Sequence, residues 1–320
     1  MQIQLAPMEG LVDPIMRRVL TAIGGVNQCV TEFVRVTDVL LPRRVFHRLA
    51  PELNQGAVTL SGTPVYVQLL GSDPVALAAN AARAAAMGAP VVDLNFGCPA
   101  KTVNRHRGGA ILLKEPDILY TLLKAVREAV PPEIPVTAKM RLGYEDKLQA
   151  VDCAQALEAG GAARLTVHAR TKTDGYKPPA YWPWIGKIRE GVQIPVTANG
   201  EIWTVADYHQ CREESGCEDV MLGRGLIACP DLGLRIRQSL AGEPITPMSW
   251  SELQPCLADF FGEVMENFEA RHAPGRIKQW LNYLRRTYPE ADALFHQLRR
   301  EKSTATISRA LLAPASEKVA

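Results

Sequence analysis

Long apolar runs are what this 320-residue chain most plainly lacks. No stretch of about 18 uninterrupted apolar residues occurs, so no membrane-spanning helix is expected. Met1–Met8 holds no basic stretch ahead of an apolar run, so a signal peptide is not expected either. The seven cysteines, at 29, 98, 153, 211, 217, 229 and 256, include no C-x-x-C pair. Their odd number and irregular spacing argue against a disulfide framework or a metal site. Reduced thiols in the cytoplasm are the expectation, each ordinarily a small buried hydrophobe. No dinucleotide fingerprint is visible. Nothing points to a protein partner, and a monomer is expected.

Net charge is also nearly absent, at +2, too little to demand a polyanionic partner. Its distribution says more. Eight basic residues (Arg271, Arg276, Lys278, Arg285, Arg286, Arg299, Arg300 and Lys302) face three acids between positions 271 and 302. A smaller island holds Arg35, Arg43, Arg44 and Arg48 against Asp38, and a third holds Lys101, Arg105, His106 and Arg107. One such run is ordinarily a solvated face. Three in one chain favour a phosphate-rich ligand.

What the chain does have is repetition of short apolar runs, each followed by a helical pattern. The expected strands are 3–8, 28–31, 64–70, 91–95, 135–141, 164–168, 195–199 and 219–222. Such runs suit parallel strands covered on both faces. Asp13-Pro14 and Asp73-Pro74 each pair a capping residue with proline at the first helical position. Residues 115–130, 147–159, 182–190 and 204–215 also read as helices. Eight β-then-α units in about 240 residues fit a closed (β/α)8 barrel better than an open sheet. Beyond Gly242 no strand-like run follows. Residues 251–271, 274–288 and 290–302 read as helices, the second with Ile277, Trp280, Leu281, Leu284 and Tyr288 on one face. The expected division is an α/β barrel domain, 1–242, and a small basic helical domain, 243–320.

In such a barrel, chemistry collects where strands end. Polar residues cluster there: Pro7-Met8-Glu9 after the first run, Gln68 in the third, Asn95-Phe96-Gly97-Cys98-Pro99 after the fourth. Lys139 and Arg141 sit in the fifth, His168-Ala169-Arg170-Thr171 ends the sixth, Asn199-Gly200-Glu201 the seventh, and Gly223-Arg224-Gly225 the eighth. Singly, each has an ordinary reading. Gln68 could be a satisfied core amide, Lys139 a Schiff-base lysine or a paired cation, His168 a structural histidine, and the glycines simple turns. Jointly they are harder to dismiss. Glycine turns after the last two strands, with Arg224 beside them, suit a phosphate site. Lys139 and Gln68 deeper in the mouth suit a flavin ring, the lysine facing the negative charge of its reduced form.

These residues resemble the tRNA-dihydrouridine synthase family over essentially the whole chain. The resemblance rests on A-P-M at 6–8, N-F-G-C-P at 95–99, H-A-R-T at 168–171, N-G-E-I at 199–202 and L-G-R-G at 222–225. Among its bacterial subgroups the chain is most similar to synthase C, which modifies uridine-16 of the D-loop. Two departures stand out: Lys101 is followed by Thr102 where many relatives have two lysines, and Glu201 stands where Asp is commoner.

The resemblance implies bound FMN reduced by NADPH, hydride passing from flavin N5 to C6 of uracil, and a proton from Cys98 to C5. An ordinary thiol, with a pKa of about 8.5, is still protonated at neutral pH and can donate. Pro7, Met8, Glu9, Gln68, Lys139, His168, Asn199, Gly200, Glu201, Gly223 and Arg224 are then expected to bind the cofactor. Asn95, Arg170 and Tyr176 are expected around the uridine. Arg35, Lys101, Arg271, His272, Arg276, Lys278, Gln279, Arg285, Arg286, Arg299 and Arg300 are expected on the tRNA. The nearest rival is an FMN-dependent oxidoreductase of a free pyrimidine, dihydroorotate-type, which leaves the basic tail unexplained. A lyase using Lys139 and a non-catalytic RNA-binding module are more distant alternatives.

Overall fold

The computed structural model describes residues 1–313. Nine parallel strands run β1 Ile3–Leu5, β2 Gln28–Val30, β3 Val34–Arg35, β4 Val65–Leu70, β5 Val92–Phe96, β6 Val136–Arg141, β7 Leu165–His168, β8 Val196–Asn199 and β9 Val220–Leu222. Eight of them close a ring in the order β1-β2-β4-β5-β6-β7-β8-β9, with β9 returning to β1. This is the expected (β/α)8 barrel. The two-residue β3 is a continuation of β2 in space. Both lie along β4, β2 against Val65 and Tyr66 and β3 against Leu69 and Leu70. Two residues are too few to show a strand period.

The strands form where expected because helices cover the barrel outside and side chains fill it inside. Every residue of β1, β7 and β8 is buried. The helix signals act as read. Asp13 accepts from Met16 N at 2.9 Å to start helix 14–23, and Asp73 from Ala76 N at 2.7 Å to start helix 74–86. Thr204 and Asp207 form a reciprocal capping box before helix 205–215.

The C-terminal segment holds four helices, Trp250–Asn267, Ala273–Leu284, Pro289–Leu298 and Thr304–Leu312. The first opens on a Ser249–Glu252 capping box. The second ends at Leu284 rather than 288, because Tyr288 precedes Pro289 and takes an extended conformation. The third stops at Leu298 rather than 302: the Glu301 carboxylate accepts from the backbone of Lys302 and Ser303, both at 2.7 Å, and a fourth helix starts after Ser303.

These helices and the barrel share one apolar core. Trp280 is fully buried, edge-on to Phe260 at 4.9 Å, and its indole N–H donates to Ile227 O of the barrel at 3.2 Å. No helix among the described residues is long and apolar enough to cross a membrane.

Candidate active site

A cavity of about 540 Å³ opens at the C-terminal ends of the strands. It is lined by Pro7, Met8 and Glu9 after β1, by Gln68 of β4, and by Asn95 and Cys98 at the end of β5. Lys139 and Arg141 of β6, His168 of β7, Asn199-Gly200-Glu201 after β8 and Gly223-Arg224-Gly225 after β9 complete the wall. Tyr176 closes one side from the loop after β7. Gln279 and Tyr283 reach in from helix 273–284, so the helical segment forms part of the rim. The size suits a small-molecule site.

Donors dominate the floor. Lys139 Nζ donates to Asn199 Oδ1 at 3.1 Å, and Asn199 Nδ2 to Met221 O at 2.7 Å. Burial and the nearby Arg141 bring the Lys139 ammonium down to about 8, with buried Asp93 opposing. His168 is driven well below its ordinary value by burial first, then by Arg141, Lys139, Arg170 and Arg224. It is therefore neutral at pH 7, and its Nδ1 is buried without a partner among the described residues. Burial pushes the Cys98 thiol up, against the lowering effects of the Ala100 backbone N–H and of Arg141 and Arg35. The thiol stays protonated at neutral pH.

The turn after β8 is unusual. Gly200 has φ +116° and Glu201 φ +59°, the latter a left-handed conformation that costs a residue with a Cβ about 1 kcal/mol or more. A Cβ on Gly200 would lie 3.1 Å from the His168 ring. Burial works against the Glu201 carboxylate, but hydrogen bonds from Arg170 and Trp203 hold it below the usual range. Arg224 lies 3.5 Å from the same carboxylate and stacks between Tyr176, at 5.1 Å, and Trp203, at 5.0 Å. It opens the short helix 224–228 behind Gly223. At Gly225 a Cβ would strike Ile202 O at 2.1 Å, so no other residue fits.

Four of the residues expected on the tRNA or substrate lie elsewhere. Arg170 is wholly buried, joined to Glu201 and to the carbonyls of Lys177 and Pro179, so it supports the cavity wall and meets no surface ligand. Arg276 is spent on Asp13 at 2.5 Å and Gly10 O at 2.8 Å, which ties the helical segment to the barrel. Lys278 donates to Glu301 O and is half-buried. Gln279 lines the cavity instead of the outer surface. Arg35, Lys101, Arg271, His272, Arg286, Arg299 and Arg300 are exposed, and Arg285 is half-exposed beside Asp292. Arg286 lies 4.0 Å over the Trp203 ring.

Sequence reasoning missed Glu32, Phe33, Trp203 and Tyr283 and left Arg141 without a role, although all five line the cavity. Glu32 and Phe33 lie just beyond Thr31 at the end of β2, so the strand-end rule that found the others would have found them. Arg141 donates to Gly97 O at 2.8 Å and to Thr171 O and Gly175 O at 2.9 Å, pinning the β5 and β7 loops together.

The sequence matches the family described as "Dihydrouridine synthase (Dus)" over residues 4–314. A tRNA-dihydrouridine(16) synthase of Pseudomonas putida is 60% identical over 97% of this chain and 96% of its own length. Its counterpart in Ralstonia nicotianae is 53% identical, covering 95% and 93%. That of Neisseria meningitidis serogroup A is 50% identical, covering 97% and 93%. Among solved structures, a variant of NCR from Zymomonas mobilis aligns with TM-score 0.50 and 18% identity over 78% of this chain and 90% of that one. That likeness concerns the fold alone. On the near-complete family match and these relatives, the chain belongs to the dihydrouridine synthase family.

Proposed function

We propose that this protein is a flavin-dependent tRNA-dihydrouridine synthase that reduces the C5=C6 bond of uridine-16 in the D-loop, with FMN as its flavin and NADPH as reductant. The observation that carries the reading is a protonated, buried thiol sharing one cavity with an array of cationic and neutral hydrogen-bond donors. The relatives' names supply the substrate class.

The residues present fit an anionic, acceptor-rich cofactor. Arg224 and the glycine turn at Gly223–Gly225 would hold its phosphate, since the first N–H groups of a helix have no intrahelical acceptor. Lys139, Gln68, Asn199 and His168 would meet the polar edges of the ring, with Pro7, Met8, Glu9, Gly200 and Glu201 around it. When bound, the flavin supplies hydride to the uracil.

The protein's own residues do the rest. Cys98 keeps its proton until charge develops on the ring and then delivers it to C5. Asn95 and neutral His168 can donate to the uracil carbonyls without repelling the cationic wall. Tyr176, held between Arg141 and Arg224 at 5.1 Å from each, offers a face on which the base can stack. The uridine must leave its RNA stack to reach this depth. Residues 243–320 act as the tRNA-binding part, with Arg271, His272, Arg285, Arg286, Arg299 and Arg300, joined by Arg35 and Lys101 of the barrel, reading phosphate.

The test is turnover on unmodified tRNA against free uridine, followed by mass mapping of the product. Dihydrouridine at position 16 of tRNA, with free uridine inert, is expected. Equal turnover of the free nucleoside would overturn the proposal.

A further inference from the structure

Below the cavity mouth, three adjacent strands set polar side chains in a row. Gln68 on β4, Asp93 on β5 and Thr137 on β6 are register partners, so they share one face of the sheet. Asp93 is only 4% exposed. Its Oδ1 accepts from Thr137 Oγ1 at 2.6 Å and its Oδ2 from Gln68 Nε2 at 2.7 Å. Gln68 Oε1 accepts from Asn95 Nδ2 at 2.8 Å. Asn95 Oδ1 in turn accepts from the backbone N–H of Gly97 and of Cys98, both at 2.9 Å. The bonds run unbroken from a buried carboxylate to the cysteine.

Direction matters in this row. Burial raises the Asp93 carboxyl, while the hydrogen bonds from Gln68 and Thr137 and the charge of Lys139 favour its ionised form. A carboxylate only accepts, whereas a side-chain amide has one accepting and one donating end and can turn over. Facing Asp93, Gln68 must present its NH2 and so its oxygen to Asn95. Asn95 must then offer NH2 to Gln68 and oxygen to the turn at Gly97 and Cys98. If position 93 could also donate, both amides could reverse. The Asn95 NH2 would then confront two backbone N–H groups, and the turn would have to move.

We infer that Asp93 is a positioning residue: by fixing the direction of the Gln68 and Asn95 amides it sets the turn that aims the Cys98 thiol into the cavity. The same direction leaves the remaining N–H of Asn95 to the cavity side, a donor suited to a carbonyl. The inference rests on Cys98 being the proton donor.

The test compares wild type and Asp93→Asn as flavin-loaded enzymes. Alkylation of Cys98 by iodoacetamide is followed by peptide mass spectrometry, beside kcat and KM for tRNA. Asp93→Asn should alkylate several-fold faster as the turn loosens. Its kcat should fall about a hundredfold, the scale of an ångström-level misplacement, with KM for tRNA unchanged. The double variant D93N/Q68E restores the direction, because the new carboxamide donates to a carboxylate at 68 that can still accept from Asn95. Its alkylation rate should return to that of wild type.

A wild-type alkylation rate in Asp93→Asn, or no return in the double variant, overturns the proposal. A merely structural role would not be rescued by the swap. Should Asp93→Asn fail to fold, Asn95→Ala cuts the row next to the turn at a half-exposed position, and an unchanged Cys98 rate there also overturns it. Failure of the proton-donor reading is seen separately, as an active Cys98→Ala enzyme, and leaves the alkylation result intact.

Discussion

Arg170 and Glu201 form an ion pair in which the guanidinium is wholly buried and the carboxylate about a quarter exposed. One Arg170 nitrogen, Nη1, has no partner among the described residues, and Glu201 is the carboxylate that accepts a hydrogen bond from this charge. Glu201→Gln should therefore cost about 3 kcal/mol of stability, the effect of leaving a buried charge unpaired. Because the folded carboxyl sits below its ordinary range, its contribution is present above the unfolded value of about 4.3 and is lost as pH falls through the folded one. Denaturant titrations at pH 7 and pH 3.5 should show the difference between wild type and variant shrinking at the lower pH.

Arg224→Glu should release the flavin. The substitution puts a second carboxylate beside Glu201 at the turn proposed to hold phosphate. Loss of the absorbance near ~450 nm from the purified variant is the expected result under the flavin assignment. A fully yellow variant contradicts the phosphate site.

Lys139 should be the most reactive lysine of the flavin-free protein at mild alkaline pH. Its ammonium titrates at about 8, against about 10.4 for an ordinary lysine side chain. Reductive methylation at pH 8 should modify Lys139 first, and added FMN should protect it. Uniform labelling with no protection would count against its place at the cofactor site.

Cys98→Ala should keep flavin and tRNA affinity and lose most dihydrouridine formation. The thiol is pushed above its ordinary value by burial, so a proton-donor role fails only as pH rises beyond the usual thiol range. Near-normal product from the alanine variant, measured by mass spectrometry of tRNA, excludes the role.

Exposed Arg286, Arg299 and Arg300 should each carry part of the phosphate contact. Replacing one by alanine should weaken binding of all tRNAs alike and reduce the slope of log affinity against log salt by about 1. Gel-shift titrations at 50 to 200 mM salt read this directly. Arg276→Ala is the contrast: it should loosen the docking on Asp13 and lower the melting temperature more than it changes the slope.

The barrel was legible because its strands are buried on both sides and so read as short apolar runs with polar ends. Seven of the eight ring strands fall within those runs, and β5 extends one residue past its run to Phe96. The cavity residues were legible for the same reason: a polar residue that closes an apolar run has nowhere to point but the mouth. Arg170 shows the limit of that rule. It ends a strand, yet its side chain turns under the loop to Lys177 and Pro179, and only the path of that loop reveals it. Tyr283 shows a second limit. Its helix is visible in the sequence, but not which part of the barrel that helix meets. Lys278 and Arg276 counted as free charges until the fold brought a carbonyl and a carboxylate to them.

Helix 273–284 plugs Trp280 into the barrel's flank while Gln279 and Tyr283, on neighbouring turns of the same rod, edge the opening. The lobe proposed to grip the nucleic acid is thus mechanically the brim of the reaction vessel. A tilt of that rod would carry Gln279 and Tyr283 with it, so the seat of Trp280 and the lip of the vessel move together.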